Sequence, residues 1–286
     1  MFGSHLSIAG GLENALIEAS KLGMQCVQIF TKNQRTWKTP ALTSKQIDTW
    51  RTHQSETGIK IAVSHDSYLI NLASPQRTTH DRSTRLFREE LRRCELLQIP
   101  YLVAHPGAHM GHGIDKGLQR VAQTLNHLHD EEPDLKVLTC LEITAGQGTS
   151  LGFELEQLAV LIDLVKADQR LGVCLDTAHL LASGYDLTSK QGAATVLRHI
   201  NRTVGLKRVK VLHLNDSKIE RGKRVDRHEH IGHGYVSLQA FGVFVNEPQF
   251  KRLPKILETP KGVAPNGRPW DTLNLQKLKA LVRTKP

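Results

Sequence analysis

The stretch Tyr101-Leu102-Val103-Ala104-His105-Pro106-Gly107 contains the pattern that decides the fold. A short apolar run, typical of a buried strand, ends at a histidine, and a proline and a glycine follow it directly. The amphipathic segment Ile114–Glu131 comes next and predicts a helix. This unit, a strand with a polar last residue followed by a helix, recurs along the chain.

Eight such units alternate without interruption. Strands are predicted at Phe2–His5, Cys26–Phe30, Ile59–Ser64, Tyr101–His105, Val137–Glu142, Leu171–Asp176, Val209–Leu214 and Lys255–Glu258. Helices are predicted at Gly11–Leu22, Ser44–Thr57, Thr78–Leu97, Ile114–Glu131, Glu154–Val165, Lys190–Val204, Ser237–Glu247 and Trp270–Arg283. Strict alternation implies parallel strands with right-handed crossovers, and eight units over 286 residues favour a closed (β/α)8 TIM barrel. No linker divides the chain, so residues 1–286 are predicted to form one domain.

Composition narrows the class of partner. Lys and Arg number 38 and Asp and Glu 28, so the formal charge is +10, which favours an anionic partner, with nucleic acid the leading candidate. Hydrophobic residues make up 39% of the chain, which is enough for a core and argues against disorder. No stretch approaches the roughly 20 apolar residues of a membrane helix, and the first residues lack the features of a secretory signal. We therefore expect a cytoplasmic protein without membrane contact.

The cysteines also indicate an intracellular protein. Cys26, Cys94, Cys140 and Cys174 form no C-x-x-C pair, which disfavours a thiolate zinc knuckle or a thioredoxin-like motif. Three of them lie in strand-like apolar runs. All four are predicted to be reduced thiols in the core.

The strand ends carry the chemistry. Seven of the eight predicted strands end at or beside a residue that can bind a metal, namely His5, His65, His105, Glu142, Asp176, His213 and Glu258. In this type of barrel the carboxyl ends of the strands meet at one rim, which holds the active site. One such residue alone is usually an ordinary rim residue, but seven together would repel or lose hydration unless a cation lay among them. Imidazole and carboxylate suit Zn2+.

Two rim loops add further ligands. Asp176-Thr177-Ala178-His179 follows the sixth strand and Val225-Asp226-Arg227-His228 follows the seventh, although Asp176 could instead cap a helix. The candidate ligands are then His65, His105, Glu142, Asp176, His179, His213, Asp226, His228 and Glu258. One tetrahedral zinc takes three or four protein ligands, so this set predicts two or three ions. Several adjacent metals suit phosphoester hydrolysis, and the basic charge points to a nucleic-acid backbone.

Long ordered blocks cover almost the whole chain. They are Gly3–Ser7 with Ala9–Gly11, Phe30–Arg35 with Trp37, His65–Leu72, His105–Gly107, Glu142 with Thr144–Gly148, Asp176-Thr177 with His179 and Gly184–Asp186, His213–Asp216, Val225–His228 with Ile231-Gly232 and Gly234, and Leu257–Pro260. In these blocks the chain resembles the endonuclease IV family of apurinic/apyrimidinic (AP) DNA endonucleases.

The resemblance implies three zinc ions, with Mn2+ as an alternative at one site. His65, His105 and Glu142 would hold the first, and Glu142 would bridge to a second held by Asp176, His213 and Glu258. The third would be held by His179, Asp226 and His228. The implied catalytic residues are Glu142 and Glu258. The implied reaction is metal-activated hydroxide attack at phosphorus, 5′ to an abasic site, which leaves a 3′-hydroxyl, and blocked 3′ ends of double-stranded DNA would also be trimmed by the monomer.

The resemblance also places DNA contacts in two loops. Arg35 and Tyr68 would lie at the DNA by this resemblance. Lys32, Asn33 and Trp37 are added by their chemistry, because cations can hold phosphates and flat side chains can stack on bases. For Trp37 and Tyr68, half-buried loop packing stays open as the simpler interpretation. The basic segment Ser217–His230 lies on the same rim and is a further candidate. The helical run Arg82, Arg85, Arg88, Arg92 and Arg93, interleaved with Glu89, Glu90 and Glu95, is instead interpreted as a solvated outer face.

Some residues depart from the family pattern or have no role in it. Ile143 and Ala178 stand where the family commonly has other residues, and modest packing effects are expected. His109 and His112 are interpreted as solvated loop residues, and His5 as a rim residue of unassigned role. Two alternative functions stay open. One is a sugar isomerase or epimerase with one or two ions, and the other is a non-catalytic binder of damaged DNA in which metals serve only stability.

Overall fold

Eight parallel strands close into a barrel in the computed structural model, which describes residues 1–283. The barrel strands are β1 (Phe2–His5), β2 (Cys26–Ile29), β3 (Ile61–His65), β4 (Tyr101–Ala104), β5 (Leu138–Glu142), β6 (Leu171–Asp176), β7 (Val209–His213) and β10 (Lys255–Leu257). Their order around the barrel is β1-β10-β7-β6-β5-β4-β3-β2, and β1 closes it by pairing with both β2 and β10. The predicted (β/α)8 barrel is confirmed.

The helices that cover the barrel agree with the predicted alternation. They are α1 (Glu13–Lys21), α2 (Ser44–Thr57), α3 (Arg77–Leu96), α4 (Ile114–Glu131), α5 (Leu155–Leu164), α6 (Thr177–Ser183), α7 (Lys190–Thr203), α8 (Leu238–Val245) and α9 (Trp270–Ala280). Helix α6 was not predicted, and neither was the antiparallel ribbon of β8 (Asp216–Ser217) and β9 (His228–Glu229). Over residues 1–283 each helix is too short or too polar to cross a membrane.

Local sequence explains where the second helix begins and ends. Thr43 and Gln46 form a reciprocal capping box that satisfies free backbone amides at the start of α2. Gly58 ends the helix in the left-handed region, at φ 68°, which a residue without a side chain adopts at little cost. Both ends agree with the prediction from sequence.

Two apolar layers hold the barrel. The larger layer lies between strands and helices and includes the fully buried Leu16, Phe87 and Phe241. Burying one such side chain contributes about 1.5–3 kcal/mol. The smaller layer is assembled from Cys26, Val63, Val103, Cys140, Cys174, Val211 and Ile256. All four cysteines are buried and free, as predicted.

The arginine run on α3 corrects the prediction of a uniformly solvated face. Arg82, Arg85 and Arg92 are exposed as expected, but Glu90 and Arg93 are buried. For Arg93 the reason is tertiary, because its side chain bonds to the segment between β2 and α2. The Arg93 guanidinium donates to the backbone carbonyl of Thr31 and, at 2.9 Å, to that of Pro40. Arg93 therefore anchors the loop that carries the predicted DNA contacts.

Candidate metal centre

The predicted ligands converge at the carboxyl ends of the barrel strands. Within residues 1–283, ligand atoms within 4.8 Å of one another form four sets; one joins the Cys174 thiol to Glu142 and His213, and the other three consist of imidazole and carboxylate ligands alone. The first set is His65, His105 and Glu142, the second is Glu142, Asp176, His213 and Glu258, and the third is Asp176, His179 and His228. The sets share members, so the rim holds one continuous cluster of imidazoles and carboxylates.

Glu142 lies at the centre of the cluster. Its side chain is fully buried at the end of β5. Its Oε2 is 3.1 Å from His65 Nε2 and 3.2 Å from His105 Nε2. Its Oε1 is 2.9 Å from His213 Nδ1 and 3.4 Å from His179 Nδ1. One carboxylate therefore faces four imidazoles, with one oxygen directed to each half of the cluster.

Backbone carbonyls orient three of the histidines. The Nδ1 of His65 is 2.9 Å from the carbonyl oxygen of Asp66, and that of His179 is 2.9 Å from the carbonyl oxygen of Ile143. The Nδ1 of His228 is 3.3 Å from the carbonyl oxygen of Glu258. A carbonyl can only accept, so each Nδ1 carries a proton, and the neutral form of each ring presents its Nε2 lone pair to the cluster. Metal-binding histidines are usually held in this way.

Unsatisfied ring nitrogens show that a cation fits here. The Nε2 atoms of His179 and His228 are buried, and neither has a hydrogen-bond partner within residues 1–283. Asp226 has an oxygen 3.2 Å from the first nitrogen and another 3.4 Å from the second. Asp176 lies 3.6 Å from His228 Nε2. Two lone pairs and two carboxylates that face one another without hydrogen bonds match the donors that a divalent cation binds.

The pKa values of the cluster reflect mutual attraction between opposite charges. Burial alone raises the pKa of Glu142, but the imidazoles of His213 and His105 outweigh it and hold that pKa well below its usual value. Burial likewise opposes ionisation of Asp226, yet the adjacent imidazoles of His179 and His228 lower its pKa to about 2. Burial disfavours charge on His179, but Asp176 and the neighbouring carboxylates raise its pKa well above the ordinary value. Without a cation, bound protons therefore balance the carboxylates.

Asp176 joins two parts of the cluster. It is the last residue of β6, and its Oδ1 accepts a hydrogen bond from the His179 amide at 2.8 Å, which caps α6. Its Oδ2 accepts a hydrogen bond from Asn215 Nδ2 at 2.6 Å and faces the other ligands. The interpretation of Asp176 as a helix cap and its interpretation as a ligand are therefore compatible.

Two amide side chains that sequence reasoning missed support the cluster. Asn215 donates to Asp176 and accepts from the backbone amide of Glu258 at 2.7 Å. Gln28, fully buried on β2, contacts His213, Glu258 and His5. The available signal was a polar residue inside the otherwise apolar run of the second strand, whose end carries neither histidine nor carboxylate.

The rim beside the cluster holds a cavity of about 290 Å3. Its lining includes Tyr68, His105, His179, Asp226 and Arg227. Tyr68 is 72% exposed, and its ring makes an edge-to-face contact with Phe30, with centroids 5.6 Å apart, and a tilted contact with His65 at 6.2 Å. This exposure argues against half-buried packing for Tyr68 and leaves its ring available to a ligand in the cavity.

The loop between β2 and α2 divides the predicted DNA contacts into two kinds. Asn33, Arg35 and Trp37 are exposed, with Trp37 at 36%. Lys32 is only 6% exposed, and its Nζ donates to the carbonyl oxygens of Asn33 and Thr36 at 2.9 and 2.7 Å. The Lys32 ammonium thus holds the shape of the loop and is not presented to solvent.

The departures from the family pattern are accommodated. Ile143 and Ala178 are buried, and the contribution of Ile143 to the cluster comes from its backbone carbonyl, which any residue supplies. His112 is exposed, and His109 accepts from the Gly113 amide at 3.2 Å within its own loop. His5 lies at the cluster edge, with its Nδ1 3.5 Å from Glu258 Oε1.

The chain resembles known proteins in sequence and in fold. A family model described as "Xylose isomerase-like TIM barrel" matches residues 16–281. A "Probable endonuclease 4" of Chloroflexus aurantiacus is 45% identical over 282 residues, covering 99% of this chain and 98% of the relative. The solved endonuclease IV from Thermus thermophilus matches with a TM-score of 0.85 and 36% identity over 98% of both chains. A D-tagatose 3-epimerase-like protein, at 16% identity and a TM-score of 0.73 over 98% of this chain and 96% of its own, shares the fold alone.

Proposed function

The chain belongs to the endonuclease IV family and is an enzyme of the AP endonuclease class, and from that premise we propose a specific reaction for it. It cleaves the phosphodiester bond on the 5′ side of an abasic site in double-stranded DNA and leaves a 3′-hydroxyl. It also trims blocked 3′ ends. Three zinc ions serve this reaction, and Mn2+ is an alternative at one site. The enzyme acts as a monomer in the cytoplasm.

The main support for this proposal is that the three ligand sets share members and form one continuous cluster. A sugar isomerase or epimerase on the same fold needs one or two ions, which the first two sets would satisfy. The third set and Asp226 supply additional ligands next to the rim cavity. A DNA binder in which metals serve only stability has no need of a full ligand set with His105, His179 and Asp226 lining an open cavity. The surplus of ligands therefore favours phosphodiester hydrolysis over both alternatives.

The chain's own residues would divide the work. Zinc supplies a hydroxide nucleophile at neutral pH and neutralises charge on the phosphate and the leaving oxygen. Glu142 would be shared between the first and second ions, and Glu258 would complete the second. Asp226, which lies between His179 and His228, would complete the third. Because His105 and Asp226 are the more exposed members of the cluster, the phosphate would approach from their side.

Lesion selectivity would come from the rim. An abasic nucleotide has no base to stack, so turning it out of the helix costs less than turning out a normal nucleotide. The cavity beside Tyr68 would receive the sugar and phosphate, while Arg35, Asn33 and Trp37 would contact the DNA from the adjacent loop. Lys32 would contribute by holding that loop in shape.

A cleavage assay tests the reaction. Zinc-loaded protein should cut an end-labelled duplex with one abasic site into a product that a polymerase extends, and chelator should stop the cleavage. Glu142→Gln should lose cleavage and more than one zinc, because Glu142 faces two ligand sets, whereas His228→Ala should lose one zinc. Gln157→Met changes a buried amide outside the ligand sets and should cut normally. An uncut duplex, or fewer than two metals per chain by metal analysis, contradicts the proposal.

A further inference from the structure

Gln28 occupies an unusual position in the barrel wall. It lies on β2 between the buried Val27 and Ile29, and it is itself fully buried. Its side chain points to the cluster: Oε1 is 2.8 Å from His213 Nε2, and Nε2 is 2.6 Å from Glu258 Oε1 and 3.0 Å from His5 Nδ1. One amide therefore uses three contacts to join three residues from three other strand ends.

These contacts fix the orientation of the amide. A carboxylate oxygen only accepts, so the group facing Glu258 at 2.6 Å is the NH2 of Gln28, and the group facing His213 is its carbonyl oxygen. The second hydrogen of the NH2 then points to the Nδ1 of His5, which accepts it as an unprotonated nitrogen. The opposite orientation would place two oxygens against each other at Glu258. The three contacts are mutually consistent in one arrangement.

The orientation of Gln28 in turn selects the tautomer of His213. Because the Gln28 oxygen accepts from His213 Nε2, the neutral ring carries its proton on Nε2. When a cation replaces the proton on Nδ1, the Nδ1 lone pair is directed at the second ligand set, where Nδ1 lies 2.9 Å from Glu142 Oε1 and 3.1 Å from Glu258 Oε2. Gln28 thus does for His213 what backbone carbonyls do for His65, His179 and His228.

The same amide orders Glu258. By occupying Oε1 it leaves Oε2, the oxygen that faces His213, free for the second set. Asn215 approaches Oε2 only at 3.4 Å, so Gln28 provides the closer side-chain hydrogen bond to this carboxylate. Gln28 therefore acts on two of the four members of the second ligand set, and it does so without being a ligand.

We propose that Gln28 is a positioning residue for the second ligand set, in which it fixes the tautomer of His213 and the orientation of Glu258. This inference rests on the metal centre of the proposed function. Gln28 touches neither the substrate cavity nor the first and third sets. His65, His179 and His228 are oriented by backbone carbonyls, which a substitution cannot remove, whereas His213 is oriented by the Gln28 side chain. One substitution at Gln28 can therefore remove the hydrogen bonds that orient the ligands of one ion alone.

Zinc titration of two matched variants tests the proposal. Gln28→Met keeps the length of the side chain and removes its hydrogen bonds, and Gln157→Met makes the same change at a buried amide that binds Gly152 and Glu154. Competition with a chromophoric chelator should show one zinc of Gln28→Met weakened by about 10- to 100-fold, with the other ions unchanged. Gln157→Met should match the wild type. If Gln28→Met fails to fold, Gln28→Asn, whose amide is too short to span the same contacts, should show the same single weakened ion.

A second readout follows the proton itself. In protein labelled with 15N-histidine, the zinc-loaded wild type should show His213 with a slowly exchanging Nε2 proton, and Gln28→Met should lose that protection. Wild-type zinc affinities in Gln28→Met, or an equal loss in Gln157→Met, would overturn the role of Gln28 and leave the proposed function intact. Fewer than two ions in the wild type would instead contradict the proposed function, and the role of Gln28 would fall with it.

Discussion

Replacing Arg93 with methionine should release the loop that carries the predicted DNA contacts. The guanidinium donates to the carbonyl oxygens of Thr31 and Pro40, which lie at the two ends of that loop. Hydrogen bonds from a charged group contribute about 1.5–3 kcal/mol each, so the two carbonyls represent roughly 3–6 kcal/mol. Burial opposes this, as the lowered pKa of Arg93 shows, because a hydrated cation loses water. A net loss of about 2–3 kcal/mol in the free energy of unfolding is expected.

The same change should weaken DNA binding. If the released loop holds its DNA-competent shape in one molecule in ten, the apparent Kd rises by about tenfold, because binding is reduced by the competent fraction. Fluorescence anisotropy of a labelled abasic duplex, with chelator present to prevent cleavage, measures this Kd. Urea unfolding measures the stability, and the zinc content before chelation should equal that of the wild type because Arg93 contacts no ligand.

The neighbouring Arg92 provides a matched control. Its guanidinium is half exposed and pairs with Glu89 at 2.8 Å and with Glu132. Exposed ion pairs contribute little, so Arg92→Met should change stability by no more than about 1 kcal/mol and leave the Kd unaltered. The reasoning is refuted if Arg93→Met binds the duplex as tightly as the wild type, or if Arg92→Met weakens binding to the same extent.

Three further results are expected. Burial raises the pKa of Glu90 to about 8, so the folded chain binds more protons than the unfolded chain between pH 4.5 and 8. The free energy of unfolding therefore falls as the pH rises through this window, by up to about 1.4 kcal/mol per pH unit. Urea unfolding should show a smaller fall in Glu90→Gln, but not in Glu89→Gln, where the replaced side chain is more exposed. Metal-free protein should be most stable between pH 4.5 and 6.5 in thermal unfolding. The raised pKa values of His65, His179 and His213 contribute stability below pH 6.5, and the lowered pKa values of Glu142 and Glu258 contribute it above pH 4.5. An optimum near pH 8 would contradict this. Tyr68→Ala should raise the Kd for the abasic duplex by roughly tenfold through lost stacking of about 1–3 kcal/mol, whereas Tyr68→Phe should not, and equal effects would mean that the hydroxyl, not the ring, makes the contact.

The barrel and most of the cluster were predictable because they depend on periodic signals. Alternating strand and helix patterns specify the barrel, and parallel strands bring their last residues to one rim. His65, Glu142 and His213 were therefore identifiable from position alone. The position of a residue at a strand end does not show which ligands share an ion. That grouping was implied only by the family resemblance.

The features that sequence reasoning missed depend on tertiary contacts. Charged residues at helical spacing indicate a solvent face, but Glu90 and Arg93 are buried, and Arg93 bonds to a loop that is distant in sequence. Helix α6 follows β6 without an intervening turn, so the sequence has no turn residues between the two that would indicate where a helix begins. The strands β8 and β9 have two residues each, too few for a periodic signal. Gln28 is a neutral amide, and only its neighbours in space give it chemical meaning.

The direct junction of β6 and α6 makes the exchange of one amide proton a measure of two ligand sets. Asp176 closes the strand, and the helix that it caps begins at the next residue, so no loop can absorb a shift between Asp176 and His179. Any change that draws the Asp176 carboxylate away also frees the His179 amide to exchange with solvent. The exchange rate of that single hydrogen therefore reports how firmly the second and third ligand sets are held. The measurement requires neither substrate nor turnover.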